Sequence, residues 1–150
     1  IVRHTESSNE FKRLVLDQGL NRDHVELRTK RTITDAVGLA TRELAMAIKA
    51  KKIACFTHSG STARRISKFR PQGPIIAFSP IASTVTRLAL SWGITPIHIR
   101  DLSSVDELLE FAPRYLLEHN MVTSGDSVVI TAGVPVGEAG MTNMIKVVEI

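Results

Sequence analysis

The sequence predicts an α/β fold, a three-layer α/β/α sandwich built on a five-stranded mixed sheet that is mostly parallel. Short apolar segments of strand length alternate with segments whose apolar residues recur at helical spacing. This alternation is typical of βαβ units, in which helices connect parallel strands and cover both faces of the sheet. A glycine-rich connection without a helical pattern joins the last two strands, so the final strand is expected to be antiparallel.

The first helix of the α/β domain is predicted over residues 34–50. Thr32 with Asp35 three residues later resembles a capping box, and apolar residues then recur at helical spacing as far as Ile48. Lys51 and Lys52 are expected to end this helix. Residues 1–32 are largely polar and are interpreted as an N-terminal connecting arm, which leaves residues 33–150 for the α/β domain.

The remaining elements follow in alternation. Apolar runs predict strands over residues 53–56, 74–78, 95–99 and 127–131, and a last strand over 143–150. Helical spacing predicts helices over residues 61–69 and 82–92. A further helix over 104–119 begins at Ser104, which with Glu107 suggests a second capping box.

Composition places the chain among cytoplasmic globular domains. It has 150 residues, 43% hydrophobic and 23% charged, which fits one domain. No apolar run has the roughly 20 residues that a membrane span needs. A single cysteine, Cys55, excludes an internal disulfide, and the histidines lack metal-ligand spacing. The net charge of +4 favours small anions over nucleic acid, because aromatics are only 5% and do not alternate with basic residues.

One segment carries the chemistry of a phosphate-binding loop. It leaves the first strand, turns through hydroxyl residues and a glycine, and begins a helix. Free backbone N–H groups at a helix N-terminus, with the helix dipole behind them, favour an anion, and Gly60 permits close approach. An ordinary turn followed by a helix cap accounts for the same residues equally well. The candidate phosphate-binding residues are Thr57, His58, Ser59, Gly60, Ser61 and Thr62.

A second loop before the last strand contains more glycine than a hairpin requires. It is interpreted as a mobile loop that responds to ligand, with an ordinary connector as the alternative. Its candidate ligand-binding residues are Gly137, Glu138, Ala139, Gly140, Met141 and Thr142.

These segments, in this order, resemble the C-terminal domain of the pyruvate kinase family. The resemblance covers about residues 33–150 and is most specific near the end. The matching motifs are Thr57-x-Ser59-Gly60-x-Thr62-Ala63, Ile66-Ser67-Lys68-Phe69-Arg70-Pro71, Pro74-Ile75-Ile76-Ala77, Arg87-Leu88-Ala89-Leu90-x-Trp92-Gly93-Ile94-x-Pro96, Gly125-Asp126-x-Val128-Val129-Ile130-Thr131-Ala132-Gly133-Val134-Pro135-Val136-Gly137 and Gly140-x-Thr142-Asn143-x-Ile145-Lys146-Val147.

The resemblance implies a regulatory role without a catalytic site in this chain. The 57–62 loop matches the family's effector-phosphate loop, and the loop from Gly137 matches its neighbour. The implied effector is a sugar phosphate or AMP. The implied partners are a catalytic barrel domain absent from this chain and identical subunits, normally a tetramer. Mg²⁺ and K⁺ are implied for the full-length enzyme, which transfers phosphate from phosphoenolpyruvate to ADP, and no cofactor is implied for this domain.

Two other hypotheses remain open. The chain could be a free-standing module or enzyme acting on phosphorylated metabolites, although no nucleophile–base pair accompanies the loop. It could also be a purely structural assembly module. We expect the 150 residues alone to be catalytically inactive.

Overall fold

A computed structural model describes residues 32–137 and 141–150. Thr32–Ile150 form one compact unit. The predicted arm, except for Thr32, lies outside the described residues. In chain order the elements are α1 (Ile33–Ala47), β1 (Lys52–Phe56), α2 (Ser61–Lys68), β2 (Ile75–Ser79), α3 (Ala82–Leu88), β3 (Ile94–His98), α4 (Val105–Glu118), β4 (Ser127–Ala132) and β5 (Met144–Glu149).

The five strands form one mixed sheet in the order β3-β2-β1-β4-β5. The pairs β1–β2, β1–β4 and β2–β3 are parallel, and only β4–β5 is antiparallel. Both predictions about the sheet are therefore confirmed: it is mostly parallel, and its last strand runs the other way. The short connection between β4 and β5 contains no described helix, which is what an antiparallel pair permits.

Helices cover both faces of the sheet and create two apolar cores. Successive strand residues point to opposite faces, so Ala54 and Phe56 pack with α4, whereas Ile53 and Cys55 pack with α1, α2 and α3. The central strand β1 is almost wholly buried because both of its faces are covered. Burial raises the pKa of the Cys55 thiol to about 12. The predicted three-layer arrangement is confirmed.

The start of α1 was predicted correctly, but its end was not. Thr32 accepts a hydrogen bond from the Asp35 amide, and the Asp35 carboxylate accepts one from the Thr32 amide, so the capping box is complete. The helix ends at Ala47 rather than residue 50, because Lys49 adopts a left-handed conformation with φ of 53°. Lys52 then begins β1 instead of ending the helix.

Two other helix predictions need correction. The helix predicted over residues 82–92 ends at Leu88, because the chain must turn back to begin β3, and Leu90 points into solvent with 94% exposure. Ser104 caps α4 as predicted by accepting from the Glu107 amide. The Glu107 carboxylate, however, bonds to Ser103 rather than to the cap residue, so the second capping box is only half formed.

Candidate functional site

The two candidate loops meet at the point where the sheet changes its direction of winding. From β1 the chain builds outward through β2 to β3, then returns on the other side of β1 to form β4. Loops that leave the carboxyl ends of such neighbouring strands enclose a crevice, the usual ligand position in open α/β sheets. A small pocket of about 40 Å³ lies there. Its lining includes Thr57, His58, Ser59, Ser61, Thr62, Asp101, Gly133, Val136, Gly137 and Met141, above an apolar floor.

Gly60 makes the turn between β1 and α2 possible. Its φ is 82°, a left-handed conformation that glycine adopts without steric cost. Its amide donates to Thr57 Oγ1 at 2.9 Å, and its carbonyl accepts from the Arg64 amide at 3.1 Å, which begins the helical hydrogen bonds of α2. A Cβ at this position would lie 3.0 Å from Arg64 Nη1 and 3.2 Å from Leu88 Cδ2. Both conformation and space therefore require glycine.

The first turn of α2 offers backbone donors without acceptors. No described group accepts a hydrogen bond from the Thr62 or Ala63 amide, and the Ser61 amide makes only a long bond of 3.4 Å to Ser59 Oγ. Free amides at a helix N-terminus carry partial positive charge and point along the helix axis. This end of α2 can therefore bind an anion, and the first turn contains no acidic residue that would compete for it.

The four hydroxyl side chains of the loop divide into two pairs. Thr57 and Thr62 are buried: Thr57 Oγ1 accepts from the Gly60 amide, and Thr62 Oγ1 lies 2.7 Å from Thr142 Oγ1. Ser59 and Ser61 are partly exposed, and Ser59 Oγ donates to Ser61 Oγ at 3.0 Å. The threonines thus hold the loop in shape, whereas the serines remain open to a ligand.

His58 forms a side-chain contact with Asp101 that the sequence analysis did not anticipate. Its Nε2 lies 3.2 Å from Asp101 Oδ1, and the two side chains are 29% and 72% exposed. Thr84 Oγ1 donates to the His58 carbonyl at 2.8 Å, which fixes the backbone of this residue. Asp101 follows the edge strand β3, and the carboxyl ends of parallel strands share one edge of the sheet. That rule would have placed Asp101 near the loop.

The second candidate loop contributes three of its six predicted residues to this region. Gly137 and Met141 line the pocket, and the buried Thr142 bonds to Thr62. Glu138, Ala139 and Gly140 lie outside the described residues. The next residue, Asn143, accepts from the Val134 amide at 2.8 Å and donates to the Val134 carbonyl at 2.6 Å, so the two ends of the loop are joined.

Metal-ligand clusters and membrane-spanning helices are both absent from the described part of the chain. Within residues 32–137 and 141–150, no three His, Cys, Asp or Glu side chains come close enough together to bind a metal ion. The helices in these ranges are all too short or too polar to cross a bilayer.

Comparison with known proteins gives consistent matches over nearly the whole chain. The family model described as "Pyruvate kinase, alpha/beta domain" matches residues 35–148. A pyruvate kinase of Staphylococcus saprophyticus is 40% identical over 149 residues, covering 97% of this chain and 24% of the relative. A pyruvate kinase of Staphylococcus aureus strain MRSA252 is 38% identical over 150 residues, covering 98% of this chain and 24% of the relative. The chain thus spans about a quarter of the length of these curated relatives.

Proposed function

The chain belongs to the pyruvate kinase family through its alpha/beta domain, and we propose that this domain regulates and assembles the enzyme by binding a phosphorylated effector. The effector would be a sugar phosphate or AMP, and its phosphoryl group would occupy the pocket between the 57–62 loop and the loop from Gly137. The free amides of Thr62 and Ala63 beside the open hydroxyls of Ser59 and Ser61 are the observation that carries this proposal.

The charges around the pocket favour one phosphoryl group. Its described lining contains no lysine or arginine, and Asp101 contributes a carboxylate. The amide donors and the helix dipole can stabilise a single dianion. A second phosphoryl group would lie beside the Asp101 carboxylate, and the Arg64 guanidinium, which donates to the Ser59 carbonyl at 3.4 Å, lies outside the lining.

The catalytic reaction would belong to a longer protein. In this proposal a barrel domain supplies phosphoryl transfer from phosphoenolpyruvate to ADP with Mg²⁺ and K⁺, and the alpha/beta domain supplies regulation and contacts between subunits in a tetramer. We expect the 150-residue chain alone to show no turnover of phosphoenolpyruvate.

Calorimetric titration with inorganic phosphate, a hexose monophosphate and AMP tests the effector site. Ser61→Asp places a carboxylate at the start of α2, where it favours the helix dipole but repels an incoming phosphate. We expect an affinity loss of at least about 10-fold, the lower end of what one lost charge-assisted hydrogen bond costs. The matched control is Ser83→Asp, an exposed residue in the first turn of the neighbouring helix α3, which should leave binding unchanged.

A second variant is expected to change the phosphate affinity in the opposite direction. Asp101→Asn removes the carboxylate from the pocket and should raise phosphate affinity by a few-fold, because one charge at contact distance in a wet site is worth about 1 kcal/mol. Equal affinity in the wild type and both variants would contradict the proposed site. If none of the three ligands binds, the domain would instead be a structural assembly module. Turnover by the purified chain would favour a free-standing enzyme.

A further inference from the structure

A second and larger cavity lies at the opposite edge of the sheet from the effector loops. It is bounded by the end of α1, the start of β1 and the turn before β2, and its volume is about 360 Å³. The pocket between the effector loops measures about 40 Å³. The larger value falls within the range of roughly 300–1,000 Å³ that is typical of small-molecule sites. Its lining is Ala45, Met46, Lys49, Ala50, Lys51, Lys52, Gln72, Gly73 and Pro74.

The charged residues that line this cavity are all lysines. Lys49, Lys51 and Lys52 border it, and the lining contains no carboxylate. No described residue pairs with the ammonium group of any of the three lysines, within 4 Å, as an ion pair or a hydrogen bond. Hydrogen bonds from Thr123, and to a lesser degree the charge of Lys51, lower the pKa of Asp126, so one carboxylate lies near Lys51 outside the lining. Burial, and secondly the charge of Lys51, hold the pKa of Lys52 below its ordinary value. A bound anion would offset the repulsion between the Lys51 and Lys52 ammonium groups.

Lys49 occupies a backbone position that usually holds glycine. It follows the cap residue Ile48 in a Schellman motif, in which the Ala50 amide donates to the Ala45 carbonyl at 2.8 Å and the Lys49 amide to the Met46 carbonyl at 3.2 Å. The left-handed residue of this motif is usually glycine, because a Cβ there meets steric hindrance. Lys49, with φ of 53°, brings a cation to the cavity at that conformational cost.

Gly73 closes the other wall of the cavity. A Cβ on this residue would lie 3.2 Å from the Ala50 carbonyl oxygen, so the turn before β2 packs directly against the backbone that carries the lysines. A lysine near a helix C-terminus can also simply offset the helix dipole. One cation suffices for that purpose, however, and it requires neither three lysines nor a concave wall.

We propose that this lysine-bordered cavity binds a small molecule carrying at least two phosphoryl groups. Ammonium groups on flexible stems bind phosphate oxygens as point charges. Three lysines in the lining of one concave surface match a ligand with several negative charges better than a single phosphate. The site is separate from the effector loops and does not depend on their function.

The test uses the ¹⁵N-labelled 150-residue chain carrying Ser61→Asp, so that the effector loop is blocked. Inorganic triphosphate is titrated while backbone amides are followed by NMR, and inorganic phosphate serves as the single-phosphate comparison. We expect shifts at residues 49–52 and 72–73, with triphosphate at least tenfold tighter than phosphate. Combined Lys49→Gln, Lys51→Gln and Lys52→Gln substitutions should weaken triphosphate at least tenfold, whereas Lys146→Gln on β5 should change nothing.

The Lys49→Gly variant distinguishes an effect on triphosphate binding from an effect on folding. Glycine suits the left-handed conformation, so this variant should keep or raise Tm while it weakens triphosphate several-fold. Three results would overturn the proposal: no saturable shift at millimolar triphosphate, equal weakening by Lys146→Gln, or shifts spread over all lysines. Failure of the wild-type 57–62 loop to bind phosphate would concern only the effector loop, so the two proposals fail independently.

Discussion

The environment of Glu107 shows how near neighbours set the behaviour of one side chain. Its carboxylate accepts from the Ser103 amide at 2.7 Å and the Ser103 hydroxyl at 3.0 Å, and Arg100 Nη2 lies 3.1 Å away. The Ser103 amide, followed by the Ser103 hydroxyl and Arg100, lowers the pKa of Glu107 to about 2. The spacing to Ser104 predicted the correct cap residue, but the partner of the carboxylate depends on the turn that precedes the cap.

Glu107 should contribute to acid stability. Its folded pKa is about 2 and its ordinary value 4.5, so between these pH values the unfolded state binds more protons than the folded state. The contribution is therefore present above about pH 4.5 and is lost as the pH falls towards 2. We expect Glu107→Gln to lower Tm at neutral pH and to lose less Tm than the wild type on acidification.

Thermal unfolding followed by circular dichroism from neutral pH to pH 2 measures this effect. The control is Glu110→Gln, whose carboxylate is exposed on the same helix and has no hydrogen-bond partner among the described side chains. Parallel Tm curves for the wild type and Glu107→Gln would contradict the assignment.

At the scale of elements, one buried hydrogen bond joins the two loops of the candidate site. Thr62 in the first turn of α2 and Thr142 just before β5 are 80 residues apart in sequence, yet their hydroxyl oxygens are 2.7 Å apart and almost fully buried. Because α2 carries the free amides, this bond also fixes the distance between the amide donors and the second loop.

Thr142→Val should be destabilising, because it leaves the Thr62 hydroxyl buried without its partner. A lost partner of this kind costs about 1–3 kcal/mol in the free energy of unfolding. The double variant Thr62→Val/Thr142→Val should lose less than the sum of the two single variants, since no unpaired hydroxyl remains. Urea unfolding of all four proteins measures the coupling, and additive losses would show that the bond contributes nothing specific.

Strands and loops differ in how far the sequence predicts them. Every strand boundary was predicted to within one residue, because buried parallel strands such as Ile75–Ser79 require continuous apolar runs. The helices that end at Ala47 and Leu88 were predicted to continue to residues 50 and 92. The turns that follow them begin without a glycine or proline, so the sequence does not mark where each helix stops. The Thr62–Thr142 and His58–Asp101 contacts depend on tertiary packing and have no local sequence pattern.

At the scale of the whole molecule, the sheet leaves two strand edges open. β3 and β5 end the strand order, so each has one side without a described partner strand. Edge strands can pair with another chain through their free backbone groups. β5 also exposes Val147, which is 41% accessible, and this apolar side chain makes β5 the better candidate for contacts between subunits.

If β5 mediates assembly, Val147→Lys should shift the chain towards monomers, because a charged residue on an edge strand disfavours strand pairing. Thr95→Lys, on the exposed side of the other edge strand β3, is the matched control and should leave assembly unchanged. Sedimentation velocity over a range of concentrations distinguishes the two. Equal sedimentation of wild type and Val147→Lys would exclude β5 as the contact.

The position of Cys55 gives the molecule a built-in reporter. It is the chain's sole thiol and is the fourth of the five residues of the central strand, covered by helices on one face and by neighbouring strands on both flanks. An alkylating reagent can reach the sulfur only after the helices that cover this face have moved away or the sheet has opened. The rate of labelling, measured in the absence of denaturant, therefore reports the rare molecules in which this face of the central strand is uncovered, a population invisible to spectroscopy on the bulk sample.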